Sequence, residues 1–440
     1  MKKLYSWIDS RKNFIFQLFL ESIIFVITRF SYEKNEVSNL SFIILYLAWF
    51  FFSYVIGRYY INTKKLSSIV FQIIFKILVL NILIFISINL YSLLIIKTNL
   101  TQINIYFSLL NYVNFPIILL NLLNSIYTNL INFKIDKLLF VGSKEKYDIF
   151  LEIINQYSLE KNLLIKNFRF DYYDPNKKIS LKKFNQVILE DPNFIKPNDK
   201  NLKSILEETQ TISILEWSKT ILNRYPIELL NEKNSNELDF LNNKKLIEIR
   251  LKRLSEVLLS LILLFAAFPI LLFCAICIYI EDRGPIFYTQ DRTGKDGVIF
   301  KLTKLRTMIT NAERNGPQWS RVNDSRVTNT GLILRKLRID ELPQLVSVII
   351  GDMSLIGPRP ERPSINSDLA KSIPFYNLRH KVKPGLSGWA QVNYPYGSSI
   401  SDSKIKLSYD LYYINHFSNF LDILIFFKTI RLVFNLKGSL

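Results

Sequence analysis

The first third of the chain consists of four long apolar runs separated by short polar segments. The runs cover residues 14–30, 41–57, 69–96 and 103–127, and each approaches or exceeds the ~20 residues that a helical membrane span requires. Lys and Arg are concentrated before the first run, between the second and third, and after the fourth. Because basic loops favour the cytoplasmic side, this pattern predicts a four-helix transmembrane region over residues 1–130 with both ends in the cytoplasm.

A different pattern begins after this region and extends over residues 131–245. Residues 137–143 read as a buried strand that enters a turn, and a helical pattern follows at residues 146–157. The alternation of strand-like and helical pieces predicts a Rossmann-like α/β domain of the doubly wound type. Gly142 is followed by no glycine up to residue 250, so the G-x-G-x-x-G pattern of dinucleotide sites is missing. We therefore expect a scaffold or regulatory domain without a cofactor.

A fifth apolar run, residues 257–280, carries no charged residue and has Pro269 near its middle. Basic residues lie on both sides of it, which indicates that both of its ends face the cytoplasm. Proline interrupts the helical hydrogen-bond ladder, so we predict a re-entrant helix that enters the membrane, breaks at Pro269 and leaves by the same face. The alternative is a kinked fifth span, which would place the following residues outside the cell.

The last region, residues 246–440, holds most of the residues that could take part in catalysis or substrate binding. We assign the catalytic α/β domain to it. Arginine presents a planar fork that matches phosphate oxygens in pairs, and lysine adds a point charge. Five basic residues are candidates for binding substrate phosphates: Lys304, Arg306, Arg335, Arg338 and Arg359. A solvated basic surface is the alternative explanation for such a stretch.

Two adjacent carboxylates, Asp340 and Glu341, follow these basic residues directly. Pro343 suits the first turn of a helix and Gly351 suits its end, so the pair is predicted to lie just before a helix N-terminus. That position attracts anions, phosphate included. One carboxylate can attack phosphorus while the other holds Mg²⁺ against a diphosphate. The alternative is an acidic helix cap that pairs with nearby arginines.

Arg359 lies between two prolines, Pro358 and Pro360, which restrict the backbone on both sides of it. An arginine held in this way suits an anion clamp. The alternative is that the prolines only shape a turn.

Composition narrows the class of protein. The formal net charge is +19 and the mean hydropathy is +0.16, which together suit a membrane protein that contacts anionic lipid or anionic substrates. The charge accompanies membrane segments and no nucleic-acid motif, so nucleic-acid binding is not expected.

Cys274 and Cys277 lie inside the apolar run and are interpreted as small apolar fillers. With only two histidines, His380 and His416, a His-based zinc site is not expected.

Seven short segments between about residue 250 and the C-terminus carry motifs in a fixed order: residues 284–288, 290–294, 304–308, 340–344, 351–362, 383–391 and 409–414. Through these segments the chain resembles the bacterial sugar transferase family, the polyprenyl-phosphate phosphoglycosyl transferases. The preceding spans and α/β region resemble the large, multi-span branch of that family. Two mild departures are Glu256, where the family usually has Asp, and Thr303-Lys304-Leu305-Arg306, where it often has Tyr-Lys-Phe-Arg.

The resemblance implies a specific reaction. Asp340 would be the nucleophile that takes a sugar-1-phosphate from a UDP-sugar, forms an aspartyl phosphosugar and releases UMP. Glu341 would bind Mg²⁺, and Arg335 and Arg359 would lie near the lipid or sugar phosphate. Polyprenyl (undecaprenyl) phosphate would then accept the sugar phosphate, as the first membrane step of exopolysaccharide, capsule or O-antigen synthesis. The family's re-entrant helix agrees with the prediction for Pro269.

The resemblance also implies a location and partners. We expect a multi-pass protein of the bacterial inner membrane whose catalytic domain faces the cytoplasm. The apolar tail, residues 420–436, fits a helix that lies in the membrane interface. Membrane lipid, a UDP-sugar and polyprenyl phosphate are the expected partners, with a homo-oligomer left open.

Two other functions stay open at this point. An ordinary glycosyl transferase would cleave the sugar C1–oxygen bond and release UDP. A non-enzymatic membrane scaffold of polysaccharide assembly would have lost its catalytic groups, whereas Asp340, Glu341 and Arg359 are intact. The sequence does not identify the sugar.

Overall fold

The structure is a computed structural model that is mostly helical, with a four-stranded parallel sheet and one long apolar helix. It divides into two compact units, residues 1–213 and 214–440. The structure describes residues 12–31, 39–56, 58, 66–94, 113–123, 136–161, 168–174, 184–191, 200–231, 246–312, 324–394, 397 and 399–434.

The first unit begins with four apolar helices at the predicted runs. They are α1 (Lys12–Ser31), α2 (Asn39–Ile56), α3 (Leu66–Leu94) and α4 (Val113–Leu123). Phe25 and Trp49 are buried between them, and Glu21 forms a buried ion pair with Arg58. Glu21, which is unusual in an apolar run, is thereby neutralised by a partner 37 residues away. Membrane crossing by these helices stays a prediction.

The rest of the first unit is the predicted parallel sheet. The strands are β1 (Asp136–Val141), β2 (Phe168–Tyr172), β3 (Gln186–Leu189) and β4 (Gln210–Ser213), and the helices between them are α5 (Lys144–Lys161) and α6 (Lys200–Glu208). The spatial order is β2-β1-β3-β4, with every pairing parallel. Leu139 and Val187, at the centre of β1 and β3, are completely buried, as strands covered on both faces require.

The second unit begins earlier in the chain than residue 246, where the sequence placed its boundary. Helix α7 (Ile214–Ile221) and the short 3₁₀ helix Ile227–Leu229 belong to it. The backbone amide of Tyr225 donates to the carbonyl of Ser408, 3.0 Å away, and Tyr225 lies in the same buried core as Tyr409 and Leu411. The division into three regions stays a prediction.

Helix α8 (Leu246–Asp282) is 37 residues long. Among the described residues it is the one helix long and apolar enough to cross a membrane, and only 17% of its most apolar window is buried. Phe265 and Phe268, near its middle, are exposed. The helix continues through Pro269 instead of breaking there. One proline removes one N–H donor, and the remaining hydrogen bonds of a long helix maintain it.

The part of the second unit that follows α8 is built from short elements around a buried core. An antiparallel hairpin, β5 (Phe287–Thr293) and β6 (Ile299–Leu305), follows α8, and β7 (Ser354–Ile356) pairs in parallel with β8 (Gly385–Ser387). The helices are α9 (Asn329–Leu337), α10 (Leu345–Ile350), α11 (Pro363–Ser372), α12 (Trp389–Asn393), α13 (Ile400–His416) and α14 (Asn419–Phe434), together with the 3₁₀ helices Ile339–Gln344 and Tyr376–Lys381.

Candidate active site

The acidic pair lies in a 3₁₀ turn between α9 and α10. Arg338 ends α9 with a left-handed backbone (φ +55°) and begins the turn Ile339–Gln344, which leads directly into α10. Asp340 and Glu341 therefore lie before α10, as predicted, but inside a 3₁₀ turn that continues directly into it. In this turn the carbonyl groups accept hydrogen bonds from N–H groups three residues later, as in a 3₁₀ helix. Pro343 has no N–H to donate to an α-helical bond at this point. Gly351 ends α10 at φ +114°, as predicted.

Glu341 is held by two arginines. One terminal nitrogen of Arg359 donates to Glu341 Oε1 at 2.5 Å, and a terminal nitrogen of Arg338 lies 3.6 Å from Oε2. Burial alone would raise the pKa of Glu341, but Arg359 and Arg338 outweigh it and lower the pKa to about 2. Glu341 is therefore an anion throughout the physiological pH range.

Asp340 has a different environment although it is the next residue. Its side chain is buried, with 7% exposure, and it makes no side-chain hydrogen bond to any described part of the chain. Burial and the adjacent Glu341 carboxylate raise the pKa of Asp340 to about 6, while Lys304, Arg335 and Arg359 oppose this by favouring its charged form. The result is a carboxylate that is ionised at neutral pH, poorly solvated and unused by the fold.

Lys304 is the basic residue that β6 contributes to the site. Its ammonium lies 5.5 Å from the ring centre of Tyr288, the residue paired with it across the hairpin. Burial, with help from Arg292 and Arg335, lowers the pKa of Lys304 to about 8, although Asp340 opposes the shift. Lys304 therefore carries its charge at neutral pH and can bind a substrate phosphate.

The other predicted phosphate ligands fall into two groups. Arg335, Arg338 and Arg359 surround the carboxylates, and Arg335 is oriented by a hydrogen bond from its Nε to Thr307 Oγ1 at 2.8 Å. Arg306 does not join them. Both of its terminal nitrogens donate to Asp282 at the end of α8, so Arg306 is paired within the fold and does not face the carboxylates as a phosphate ligand. A neighbouring acid 24 residues back in sequence could not be inferred from the local pattern.

Arg292 is a cation of the site that the sequence analysis did not select. It lies on β5, four residues after Tyr288, and alternation along the hairpin places both on the same face as Lys304. Its guanidinium donates to the carbonyl of Pro360 at 2.9 Å, and Glu341 and Arg359 are among the charges that act on it. Strand alternation from Lys304 across the hairpin is the signal that could have found it.

The α/β region presents a different arrangement at the turn where related folds bind diphosphates. The carboxylate of Glu190 accepts the backbone N–H of Ser143 at 2.6 Å, at the N-terminus of α5. The Glu190 side chain also lies against Gly142. The chain's own carboxylate thus takes the position that an anion would occupy there. A region without a dinucleotide stays a prediction.

Comparison with known proteins identifies the family. Residues 247–436 match the family model described as bacterial sugar transferase. A relative in Bacillus subtilis (strain 168), named putative undecaprenyl-phosphate N-acetylgalactosaminyl 1-phosphate transferase, is 46% identical over 131 residues, which cover 30% of this chain and 73% of that protein. The chain belongs to the bacterial sugar transferase family. The resemblance read from the sequence motifs is confirmed.

Two further relatives match over part of their length. UDP-N-acetylgalactosamine-undecaprenyl-phosphate N-acetylgalactosaminephosphotransferase of Aeromonas hydrophila is 43% identical over 226 residues, which cover 51% of this chain and 52% of the relative. UDP-glucose:undecaprenyl-phosphate glucose-1-phosphate transferase of Escherichia coli (strain K12) is 37% identical over 182 residues, or 41% and 39% of the two chains. The match thus spans about half the length of the first of these relatives and less than half the length of the second.

Proposed function

We propose that this sugar transferase moves a sugar-1-phosphate from a UDP-sugar to polyprenyl (undecaprenyl) phosphate and releases UMP. The observation that carries the proposal is the buried Asp340 carboxylate, free of hydrogen bonds within the described chain and surrounded by Lys304, Arg335 and Arg359. A nucleophile needs a free lone pair, and a diphosphate needs several cations. The names of the relatives specify the same classes of donor and acceptor.

The reaction has two steps that use the same carboxylate. First, an Asp340 oxygen attacks the phosphorus next to the sugar, the bond from that phosphorus to the bridging oxygen breaks, and UMP leaves with the bond's electrons. Second, an oxygen of polyprenyl phosphate attacks the aspartyl phosphosugar and the Asp340 carboxylate leaves. Lys304, Arg335 and Arg359 stabilise the phosphate charge in both steps. The product is a polyprenyl-diphospho-sugar.

We also propose Glu341 as the protein ligand of Mg²⁺. The described residues contain no group of three or more His, Cys, Asp or Glu side chains suited to a metal. One ionised carboxylate beside the nucleophile fits Mg²⁺, which takes one or two protein carboxylates and completes its ligands with substrate phosphates and water. When bound, Mg²⁺ would neutralise charge on the diphosphate. Glu341, held by Arg359 and Arg338, keeps that position next to Asp340.

Although α8 continues through Pro269, the contacts at its two ends support the proposal of a re-entrant helix. Near its start, Lys252 Nζ donates to Asp422 on α14 at 2.7 Å. At its end, Asp282 bonds Arg306, next to β6. Both ends therefore contact the same compact unit, while the exposed apolar middle is left for lipid. This suits entry and exit on one membrane face.

The last helix supports the proposed membrane interface. Phe420, Ile423 and Phe434 on α14 are exposed, although Leu421 and Ile425 are buried in the core of the unit. One face of the helix thus packs on the catalytic core and another offers apolar side chains to lipid headgroups and chains. We accordingly propose a multi-pass protein of the inner membrane, with its catalytic unit on the cytoplasmic side and a role in starting exopolysaccharide, capsule or O-antigen synthesis.

The test is nucleotide release by the full chain in a membrane mimetic, with Mg²⁺, polyprenyl phosphate and a panel of UDP-sugars. We expect UMP, and we expect Asp340→Asn to lower its release by at least about 10³-fold because the nucleophile is lost. Chelation of Mg²⁺ should also stop it. Asp352→Asn, which changes an exposed acid after α10, is the matched control and should keep activity.

Each other outcome identifies an alternative. Release of UDP would contradict the phosphoglycosyl mechanism and favour an ordinary glycosyl transferase. Folded protein that releases neither nucleotide from any sugar of the panel would favour a scaffold of polysaccharide assembly.

A further inference from the structure

The loop that carries Arg359 has each of its carbonyl groups fixed by a different part of the second unit. The carbonyl of Pro358 accepts the backbone N–H of Gly385, and that of Glu361 accepts the N–H of Thr293, each at 2.9 Å. Between them, the carbonyls of Arg359 and Pro360 accept guanidinium groups, from Arg379 and Arg292 respectively, also at 2.9 Å. Four consecutive carbonyls are thus held by four separate donors.

This arrangement is required by the sequence of the loop. Proline at positions 358 and 360 supplies no N–H, so the segment cannot be held by a regular helix or strand ladder. Two of its carbonyls are reached only by long side chains from elsewhere. The arginines therefore take the place of a hydrogen-bonded neighbouring strand, and the position of the Arg359 backbone depends on them.

Arg379 is itself locked by two further contacts. One terminal nitrogen donates to the Tyr376 hydroxyl at 2.6 Å, and the other donates to Asp410 Oδ2 at 2.9 Å as well as to the Arg359 carbonyl. The side chains of Arg379 and Asp410 are 6% and 2% exposed. A buried ion pair gives little net stability compared with apolar residues of the same size, so its effect on the fold alone does not account for this arrangement.

We propose that Arg379, held by Asp410, is a positioning residue for the reaction proposed above. By fixing the carbonyl of Arg359, Arg379 keeps the Arg359 guanidinium on Glu341. It thereby keeps the Glu341 carboxylate in its position next to Asp340. Arg379 touches no substrate in this scheme. The proposal rests on the proposed function for its effect on rate, but its effect on the loop can be measured without any substrate.

The kinetic test follows one round of UMP release without lipid acceptor, at varied UDP-sugar concentration. Arg379→Lys keeps the charge but loses the fork that joins Asp410 to the loop. We expect the rate at saturation to fall about 10- to 100-fold, as for other residues that orient a catalytic group. The half-saturating concentration should change by no more than about twofold. Asp410→Asn should act in the same direction and serves if Arg379→Lys fails to fold.

Two comparisons separate positioning from general damage. Arg224 is another arginine of the same unit, 2% exposed and packed over the Tyr409 ring, so Arg224→Lys is the matched control and should keep the rate. In an Arg359→Ala background, Arg379→Lys should have an effect of less than about twofold, because the group it positions is gone. An equal loss in both backgrounds, or an equal loss in Arg224→Lys, would overturn the proposal.

Hydrogen exchange gives the readout that does not depend on activity. The amides of Gly385 and Thr293 donate to the loop, so loosening the loop should accelerate their exchange about tenfold in Arg379→Lys and leave it unchanged in Arg224→Lys. Unchanged exchange in Arg379→Lys overturns the positioning role, whatever the enzyme does. If exchange is faster in Arg379→Lys but the wild-type protein turns over no UDP-sugar, Arg379 still positions the loop, and the result contradicts the proposed function instead.

Discussion

Asp340 and Glu341 show how two adjacent carboxylates acquire different chemistry. Glu341 faces Arg359 and Arg338 and stays ionised with a pKa of about 2, whereas Asp340 is buried without a hydrogen bond in the described chain and has a pKa of about 6. Separated pKa values in a pair of acids are typical of sites where each acid has its own role. The more basic carboxylate is the better nucleophile, and the less basic one suits a cation.

These two environments predict how activity depends on pH. Below a pH of about 6, Asp340 takes up a proton and UMP release should fall; above about 8, Lys304 loses its charge and substrate binding should weaken. The profile of kcat/KM should therefore be bell-shaped. It is measured from UMP release between pH 5 and about 10 with a buffer series of constant ionic strength.

Lys304→Arg tests the assignment of the alkaline side of this profile. Arginine stays protonated over the whole range, so the fall above about pH 8 should disappear while the acid side stays where it is. An alkaline fall that persists in Lys304→Arg would assign it to another group.

At the scale of elements, β6 and the residues after it join the long apolar helix α8 to the site. Lys304 faces the carboxylates, Leu305 is buried against Cys274 and Ile278 of α8, and Arg306 bonds Asp282 at the end of α8. Lys304 and Leu305 lie on opposite faces of β6, as strand alternation requires, and Arg306, just beyond the end of β6, adds a second contact with α8. The position of Lys304 is therefore coupled to the position of the helix end.

Gly331, in the first turn of α9, allows that helix to approach this segment closely. A β-carbon on Gly331 would overlap the carbonyl of Thr307, whose hydroxyl orients Arg335. We expect Gly331→Ala to lower the free energy of unfolding by about 1–3 kcal/mol through overpacking, and to slow UMP release because Arg335 is displaced. Thermal unfolding and single-turnover rates measure the two effects.

Asn329→Ala is the control for Gly331→Ala, because it places the same residue at an exposed position of the same turn. It should leave both stability and rate close to the wild type. If Gly331→Ala behaves like Asn329→Ala, the close approach of α9 to Thr307 is not needed for the site.

At the scale of the whole molecule, the proposed re-entrant arrangement of α8 predicts on which side of the membrane its two ends are accessible. In a chain with Cys274→Ala and Cys277→Ala, single cysteines are introduced as Glu248→Cys and Asp296→Cys, at exposed positions in the first turn of α8 and after its end. A membrane-impermeant thiol reagent should label both in inside-out vesicles and neither in intact cells. Labelling of the two from opposite sides would show that α8 is a simple span.

Much of this organisation could be read from local sequence. Apolar runs predicted α1, α2, α3 and α8, and the alternating pattern predicted the parallel strands, because both depend on neighbouring residues. The acidic pair and Arg359 could be selected because adjacent carboxylates, nearby arginines and flanking prolines indicate phosphate chemistry from local spacing alone. The end of α10 at Gly351 was predicted for the same reason, since a left-handed residue favours glycine.

Contacts between distant residues could only be decided by the tertiary structure. The sequence by itself determined the family and the periodic elements, and it selected the acidic pair that we propose for catalysis. The fold decided that Arg306 serves Asp282, that Arg292 and Arg379 hold the Arg359 loop, and that Asp340 is buried while Glu341 is paired. A side chain's pKa and partner depend on the groups packed around it. In this protein those groups come from distant segments, as for Lys252 and Asp422, which are 170 residues apart.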